Sequence, residues 1–377
     1  MAHHFGAKNS KSENVEDLVR PHLSAKKDRH PIHKLFSYPA KFQGYLPHAL
    51  ISRLTQEGDL ICDPFSGGGT TAATASLLGR DCYSIDLNPI AVLVSKAKTT
   101  KLGTAKLVRL MADLDQLKPQ KKRALLSDVE WTLIGRDLGE FVESIWSYLM
   151  NEKRNSIAPV IGTLLIKRIK LACRRDKVHL RTAPFKKHIE YMIDELKAVE
   201  LAFRDFKDSE VKIDHGSNHD MNLKNNSVSL IVTSPPYPGV DVEYNLIQLQ
   251  RRDLNRCYRS DIGIRIADGI LGRPSNVSKK DLCDGGNAGD YWTNSKKSLM
   301  EMKRILKVGS LAFVYIGFKS DLDKLRYEKL AKETGFSIED SFVVELGKER
   351  VASSRGLFHG RYTAMMSFDQ LYVLRKI

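Results

Sequence analysis

The sequence predicts an α/β protein built on a doubly wound, mainly parallel sheet that is interrupted by a helical insertion. Three observations carry that expectation. An apolar strand, Leu60-Ile61-Cys62, runs into a glycine-rich turn, Ser66-Gly67-Gly68-Gly69, and then into the helix-like stretch Ala72 to Leu78. A second apolar run, Val228 to Val232, ends abruptly in Thr233-Ser234-Pro235-Pro236-Tyr237. Between the two lie long stretches with apolar positions at three- and four-residue spacing, far more helix than one sheet crossover needs.

In chain order, residues 1–29 are polar and charged and read as a flexible leader with a short helix near Val15 to Leu23; His3 and His4 read as coil there, not as metal ligands. The sheet domain starts near residue 33, with a helix over Leu46 to Leu54. In a doubly wound sheet the first strand-to-helix turn is where a nucleoside ligand sits, and glycines let the backbone approach it closely. A short strand, Asp81 to Ile85, follows and is closed by Asp86. An acid about 20 residues past the glycine turn suits ribose hydroxyls. Asp63-Pro64-Phe65 departs from the dinucleotide G-x-G-x-x-G pattern, which argues against NAD and for a nucleoside whose sulfonium cation welcomes a carboxylate. Helices are expected over Ala105 to Leu117, Asp137 to Met150, Ile157 to Cys173 and Phe185 to Phe206; a third sheet strand covers Glu210 to Ile213, and Met302 to Val314 reads as helix, turn and strand.

The Thr233 to Tyr237 segment points to chemistry on a nucleobase amine. Each proline fixes φ and lacks an N–H, so the rim is stiff and its carbonyls are expected to face solvent or a ligand. Ser234 Oγ and the neighbouring carbonyls can accept both hydrogens of an exocyclic amine, and Tyr237 offers a flat face for a base taken out of its stack.

With 377 residues, 42% hydrophobic, the chain can bury a full α/β core and carry further subdomains. A formal charge of +15 favours a polyanionic partner. Five cysteines without CxxC spacing read as free thiols in a reducing cytoplasm, not as a zinc site or a disulfide framework. No stretch reaches the roughly 18 apolar residues of a membrane span, and a signal-peptide core is lacking, so a cytoplasmic protein without a membrane or a metal is expected.

Three blocks together resemble the amino-methyltransferases of DNA. Asp63 to Thr71 resembles their cofactor motif, Thr233 to Tyr237 their catalytic motif, and His33 to Pro47 the segment that closes over the methionine part of the cofactor. The resemblance covers roughly residues 30 to 95 and 210 to 320. It implies a Rossmann-like methyltransferase sheet, S-adenosyl-L-methionine as cofactor and double-stranded DNA as substrate, and it leaves room for a cognate restriction endonuclease in a restriction-modification system. Carried over residue by residue, it implies cofactor contacts from Tyr38, Phe42, Asp63, Pro64, Phe65, Ser66, Gly67, Gly69, Thr70, Asp86, Leu87 and Ser217, and a catalytic role for Ser234, Pro235, Pro236 and Tyr237. Ser217 stands where the family usually carries an acid, and Asp214 or Asp220 could substitute for it. Serine before Pro-Pro-Tyr is typical of the cytosine-N4 enzymes, Asp or Asn of the adenine-N6 enzymes. The chain then divides into the leader 1–29, a cofactor-binding half 30–100, a helical insertion 101–209 suited to DNA recognition, and a catalytic half 210–377 with a basic loop at 250–295.

DNA contacts are expected from the one-sign run that holds Lys167, Arg168, Lys170, Arg174, Arg175, Lys177, Arg181, Lys186 and Lys187, and from Arg273 in the later basic region. Cytosine-C5 chemistry is excluded, because it needs a thiol nucleophile in a Pro-Cys context and no Pro-Cys dipeptide occurs. The alternatives are an adenine-N6 DNA enzyme, an RNA guanine-N2 enzyme, and a non-catalytic DNA-binding protein, which the intact glycine turn disfavours.

Overall fold

In a computed structural model of the chain, the described residues are 30–38, 44–151, 156–174, 177–238, 247–251, 256–272, 288–344 and 368–377, with residues 16 and 19. Seven strands make one sheet in the order β3-β2-β1-β4-β7-β9-β8. They are β1 Leu60–Asp63, β2 Asp81–Asp86, β3 Val211–His215, β4 Val228–Thr233, β7 Leu306–Phe318, β8 Phe336–Val344 and β9 Phe368–Lys376. The first five of these to be paired run parallel, and β9 lies antiparallel between β7 and β8. From the β1–β4 pair the strand order proceeds outward in both directions. Their carboxyl ends therefore border the crevice at the switch point, where ligands bind in open α/β sheets.

Parallel strands covered on both faces must be apolar on both, and these are. Ile61, Cys82, Leu230, Val232, Phe313 and Val373 pack under the helices α1 Tyr45–Leu54 and α2 Thr70–Leu77. Cys62, Tyr83, Ile231, Ala312, Val314 and Leu374 pack under two later helices, here α11 Ala288–Ile305 and α12 Asp321–Glu333. The helix α3 Pro89–Thr99 starts where Asn88 accepts the Ile90 N–H at 2.9 Å and Pro89 takes the first helical position.

Between α3 and β3, in the stretch expected to be a helical insertion, lie α4 Thr104–Asp115, α5 Asp128–Ile134, α6 Arg136–Asn151, α7 Ala158–Ala172, α8 Val178–Arg181 and α9 Phe185–Ala202. Its core is continuous with Ile90, Leu93 and Val94 of α3, so it extends one side of the sheet layer. Of the basic loop that the sequence predicts over 250–295, residues 252–255 and 273–287 lie outside the described residues; the rest includes β6 Arg256–Ser260, paired as an antiparallel hairpin with β5 Ile247–Arg251, and the helix α10 Ile262–Leu271. The cause is packing: Leu249, Ile262, Ile266 and Ala267 fill the insertion's core. The leader departs from its expectation at one described residue, because Val19 is buried in the cluster of Leu46 and Leu50. Among the described residues no helix is long and apolar enough to cross a membrane.

Candidate active site

β1 and β4 deliver their last residues side by side. Thr233 donates its hydroxyl to Asp63 Oδ1 at 2.6 Å, and Thr71, at the start of α2, donates to the Val232 carbonyl at 3.0 Å. Asp63 also accepts the Phe65 N–H at 3.1 Å and is only 3% exposed. Burial pushes its carboxyl up to about 6, against the lowering effect of these donors, with nearby Asp86 adding to the rise.

The glycine turn requires glycine at two places. Gly67 and Gly69 have φ of +48° and +68°, a region that a side chain disfavours. A Cβ on Gly69 would also stand 2.7 Å from Ser95 Cα, whereas at Gly67 the nearest side chain is the Tyr38 ring at 3.7 Å. Tyr38 is fixed there by Asn88, whose Nδ2 donates to its hydroxyl at 2.9 Å. From α3, Ser95 Oγ lies 2.8 Å from Ser66 Oγ, and the fully buried Lys98 donates to the Gly68 carbonyl at 2.5 Å. Thr70 Oγ1 is buried in this turn with no hydrogen-bond partner among the described residues.

Asp86 stands at the end of β2, facing the turn. It accepts the Gly67 N–H at 2.7 Å and the Asn88 N–H at 2.8 Å, and burial pushes its carboxyl up to about 6 against both. Leu87 gives its carbonyl to His215 Nε2 at 3.1 Å, and Pro64 gives its own to Asn218 Nδ2 at 3.1 Å. Ser217, beside Asn218, accepts the His219 N–H at 3.2 Å. Asp214, one of its two expected substitutes, is engaged by the Tyr83 hydroxyl at 2.8 Å; Asp220, the other, is exposed.

In the second motif Ser234, Pro235 and Tyr237 are half-buried and Pro236 is exposed. Tyr237 packs partly against the clusters on both faces of the sheet. One of the motif's carbonyls is not left for solvent or ligand: the Tyr291 hydroxyl donates to Pro236 O at 2.9 Å. Among the described residues, the structure thus gathers Tyr38, Asp63, Gly67, Gly69, Thr70, Asp86 and the start of Ser234-Pro235-Pro236-Tyr237 around one strand junction. Phe42 lies outside the described residues.

Several supporting residues escape sequence reasoning. Asn88 carries a signal, since Asn-Pro after an acid is a helix start. Ser95 and Lys98 carry none, because they lie within a helix that is buried along almost its whole length and no local pattern shows what they face.

The basic run behaves differently from expectation. Arg168 is 3% exposed; its Nε donates to His188 Nδ1 at 2.9 Å and its guanidinium lies 4.4 Å from the Tyr191 ring centroid. It is therefore a core residue and not a DNA contact, because α7 turns that side toward α9. Lys170 is half-buried with its ammonium 4.8 Å from the Phe36 ring centroid, and Lys167 pairs with Glu195 at 2.7 Å. Arg174 is exposed; Arg175 and Arg273 lie outside the described residues.

With this geometry in place, comparison with known proteins is informative at the amino-terminal half of the sheet. The family model "N6_N4_Mtase: DNA methylase" matches residues 5–97. That stretch holds β1, the glycine turn, β2 and most of α3, and it ends well before Thr233. The type II methyltransferase M.MjaII of Methanocaldococcus jannaschii is 32% identical over 98 residues, 26% of this chain and 18% of that protein. M.MvaI of Kocuria varians is 35% identical over 86 residues, 22% of this chain and 19% of that protein. The chain thus spans less than a fifth of the length of either relative. Among solved structures, geranyl diphosphate methyltransferase in complex with GPP and sinefungin superposes with a TM-score of 0.39 at 8% identity, over 89% of this chain and 79% of that one. TrmN from Thermus thermophilus gives 0.35 at 11%, over 93% and 52%. Such scores add nothing to what the sheet order already states.

Proposed function

We propose that the protein is an S-adenosylmethionine-dependent DNA methyltransferase that acts on the exocyclic N4 of cytosine. The observation that carries this reading is the junction of β1 and β4. There one hydrogen bond joins Asp63, beside the glycine turn, to Thr233, which opens Ser234-Pro235-Pro236-Tyr237. The family match over residues 5–97 supports the DNA-methylase class, and the type II relatives support a place in a restriction-modification system. Ser234, in place of Asp or Asn, favours cytosine.

The residues present fit the cofactor. The glycine turn leaves backbone accessible beside the Tyr38 ring, the buried Thr70 hydroxyl has no partner among the described residues, and two carboxylates suit a cationic nucleoside. Asp86 retains acceptor capacity for ribose hydroxyls beyond the two backbone N–H groups it already takes. When bound, the cofactor supplies an electrophilic methyl group on a sulfonium. Tyr237 stacks on the flipped base. Ser234 Oγ and the carbonyls of the Ser-Pro segment accept the two amine hydrogens, which draws the nitrogen toward tetrahedral geometry and aims its lone pair. The prolines keep that acceptor set rigid, so no reorganisation is needed as charge develops. No covalent bond to the protein forms.

Single-turnover transfer to duplex DNA at saturating cofactor tests the reading. Ser234→Ala should bind DNA normally and transfer about 100-fold more slowly. Tyr237→Ala should capture the base poorly, a defect of about 1–3 kcal/mol that a mismatch opposite the target relieves in part. Wild-type rates in both variants would overturn it. Adenine N6 remains the second reading, because the same acceptors fit either amine and the family description names both positions.

A further inference from the structure

Of the cations that sequence analysis assigns to DNA, Arg168 and Lys170 are packed on aromatic rings, Lys167 pairs with Glu195, and Lys187 pairs with Glu190 at 2.7 Å. A different segment of the insertion carries unspent charge. Residues 118–123, Lys118-Pro119-Gln120-Lys121-Lys122-Arg123, join α4 to α5 and are all exposed. Arg123 is paired with Asp128, whereas Lys118, Lys121 and Lys122 make no ion pair with any described residue.

This connection is tightly fastened for an exposed one. Glu143, buried in α6, accepts the N–H groups of Ala124 at 2.9 Å, Leu125 at 3.1 Å and Leu126 at 2.7 Å. Its neighbour Ser144 accepts the Gln120 N–H at 2.9 Å and lies 3.0 Å from the Lys118 carbonyl. On the other side Arg265 of α10 donates to the Leu125 carbonyl and pairs with Glu130, which Ser260 at the end of β6 also contacts. The segment is therefore clamped between the insertion and the hairpin and helix that follow the Ser234 motif in the chain. Lysines on a fixed backbone give up less freedom on binding than lysines on a loose loop.

We propose that Lys118, Lys121 and Lys122 form a preformed contact for the phosphate backbone of duplex DNA, beside the elements that follow the catalytic motif. Unpaired lysines suit phosphates as point charges and carry no base specificity, so the contact gives affinity and register and not sequence. The inference rests on the DNA reading proposed above.

Its test is the salt dependence of binding. Affinity for a fluorescent DNA duplex is measured over a range of salt for the wild type, for Lys118→Ala/Lys121→Ala/Lys122→Ala, and for the control Lys197→Ala/Lys329→Ala, whose lysines pair with Asp194 and Glu333. The slope of log K against log salt should flatten by about 0.9 for each lysine that meets a phosphate in the first variant and stay unchanged in the control. Methyl transfer at saturating DNA should remain at the wild-type rate. An unchanged slope in a variant whose wild type binds and methylates DNA would overturn this surface alone. A wild type that neither binds nor methylates DNA would overturn the functional reading with it. A loss confined to an RNA hairpin would overturn the assignment to DNA.

Discussion

Thr233 and Asp63 are 170 positions apart in the chain and 2.6 Å apart in the structure, hydroxyl to carboxylate. They sit at the ends of neighbouring parallel strands. The acid next to the glycine turn and the residue that opens the Ser-Pro-Pro-Tyr segment are therefore joined directly. Because Asp63 is buried, it depends on this donor.

Removing the donor should cost stability. Thr233→Val keeps the shape of the side chain and leaves Asp63 one partner short, at about 1.5–3 kcal/mol for a buried hydrogen bond to a charged group. Thr233→Ser should restore most of it. Denaturant unfolding measures both, and a valine variant as stable as the wild type would show that the bond contributes nothing.

The two raised carboxyls predict opposite pH trends for folding and for binding. Asp63 and Asp86 are pushed up to about 6, above the ordinary value near 4. Between those values the folded protein holds protons that the unfolded chain has released, so the stability of the ligand-free protein should fall as pH rises through this window. A cationic cofactor prefers the ionised acids. Affinity for S-adenosylmethionine should thus weaken as pH drops below about 6, and S-adenosylhomocysteine, neutral at sulfur, should respond less. Calorimetric titration at pH 7.5 and 5.5 compares them; equal responses would remove these carboxylates from the sulfonium.

Asp86→Ala removes a charge-assisted contact to ribose and should weaken cofactor binding by on the order of 1.5–3 kcal/mol. The same change releases the Gly67 and Asn88 N–H groups. Circular dichroism must accordingly find the variant folded, and unchanged affinity in a folded variant would end the ribose role.

Arg168→Ala should act on folding and leave DNA binding alone. It empties a buried site between His188 and Tyr191, at a cost on the order of 2–3 kcal/mol. Burial, with the Arg168 charge beside it, holds His188 down at about 4, so that imidazole is a neutral acceptor at pH 7. A stable variant with a flatter salt slope for DNA would return Arg168 to the surface.

Strands β1, β2 and β4 are legible because they are short apolar runs ended by strong punctuation, the glycine turn, Asp86 and the two prolines, whereas β8 and β9, nine residues each, carry no such mark and were not anticipated. The helices of the insertion were legible from their apolar period. What the sequence hid was contact between distant segments. The charge of Arg168 suggested a surface, but the apolar period of α7 places that position on the buried side, where His188 and Tyr191 of α9 receive it. The hairpin of β5 and β6 was obscured by its arginines and by its glycine-rich flanks. The support that Ser95, Lys98, Asn218 and Tyr291 give to the junction depends wholly on tertiary approach, which no local pattern encodes.

The product of the reaction tests the central claim most directly. The purified protein is incubated with S-adenosylmethionine carrying a labelled methyl group and with duplex DNA of mixed sequence, and the DNA is digested to nucleosides and resolved by mass spectrometry. Label in N4-methyldeoxycytidine is the predicted result. Label in N6-methyldeoxyadenosine would contradict the role given to Ser234, and label in 5-methyldeoxycytidine would contradict direct transfer to an amine.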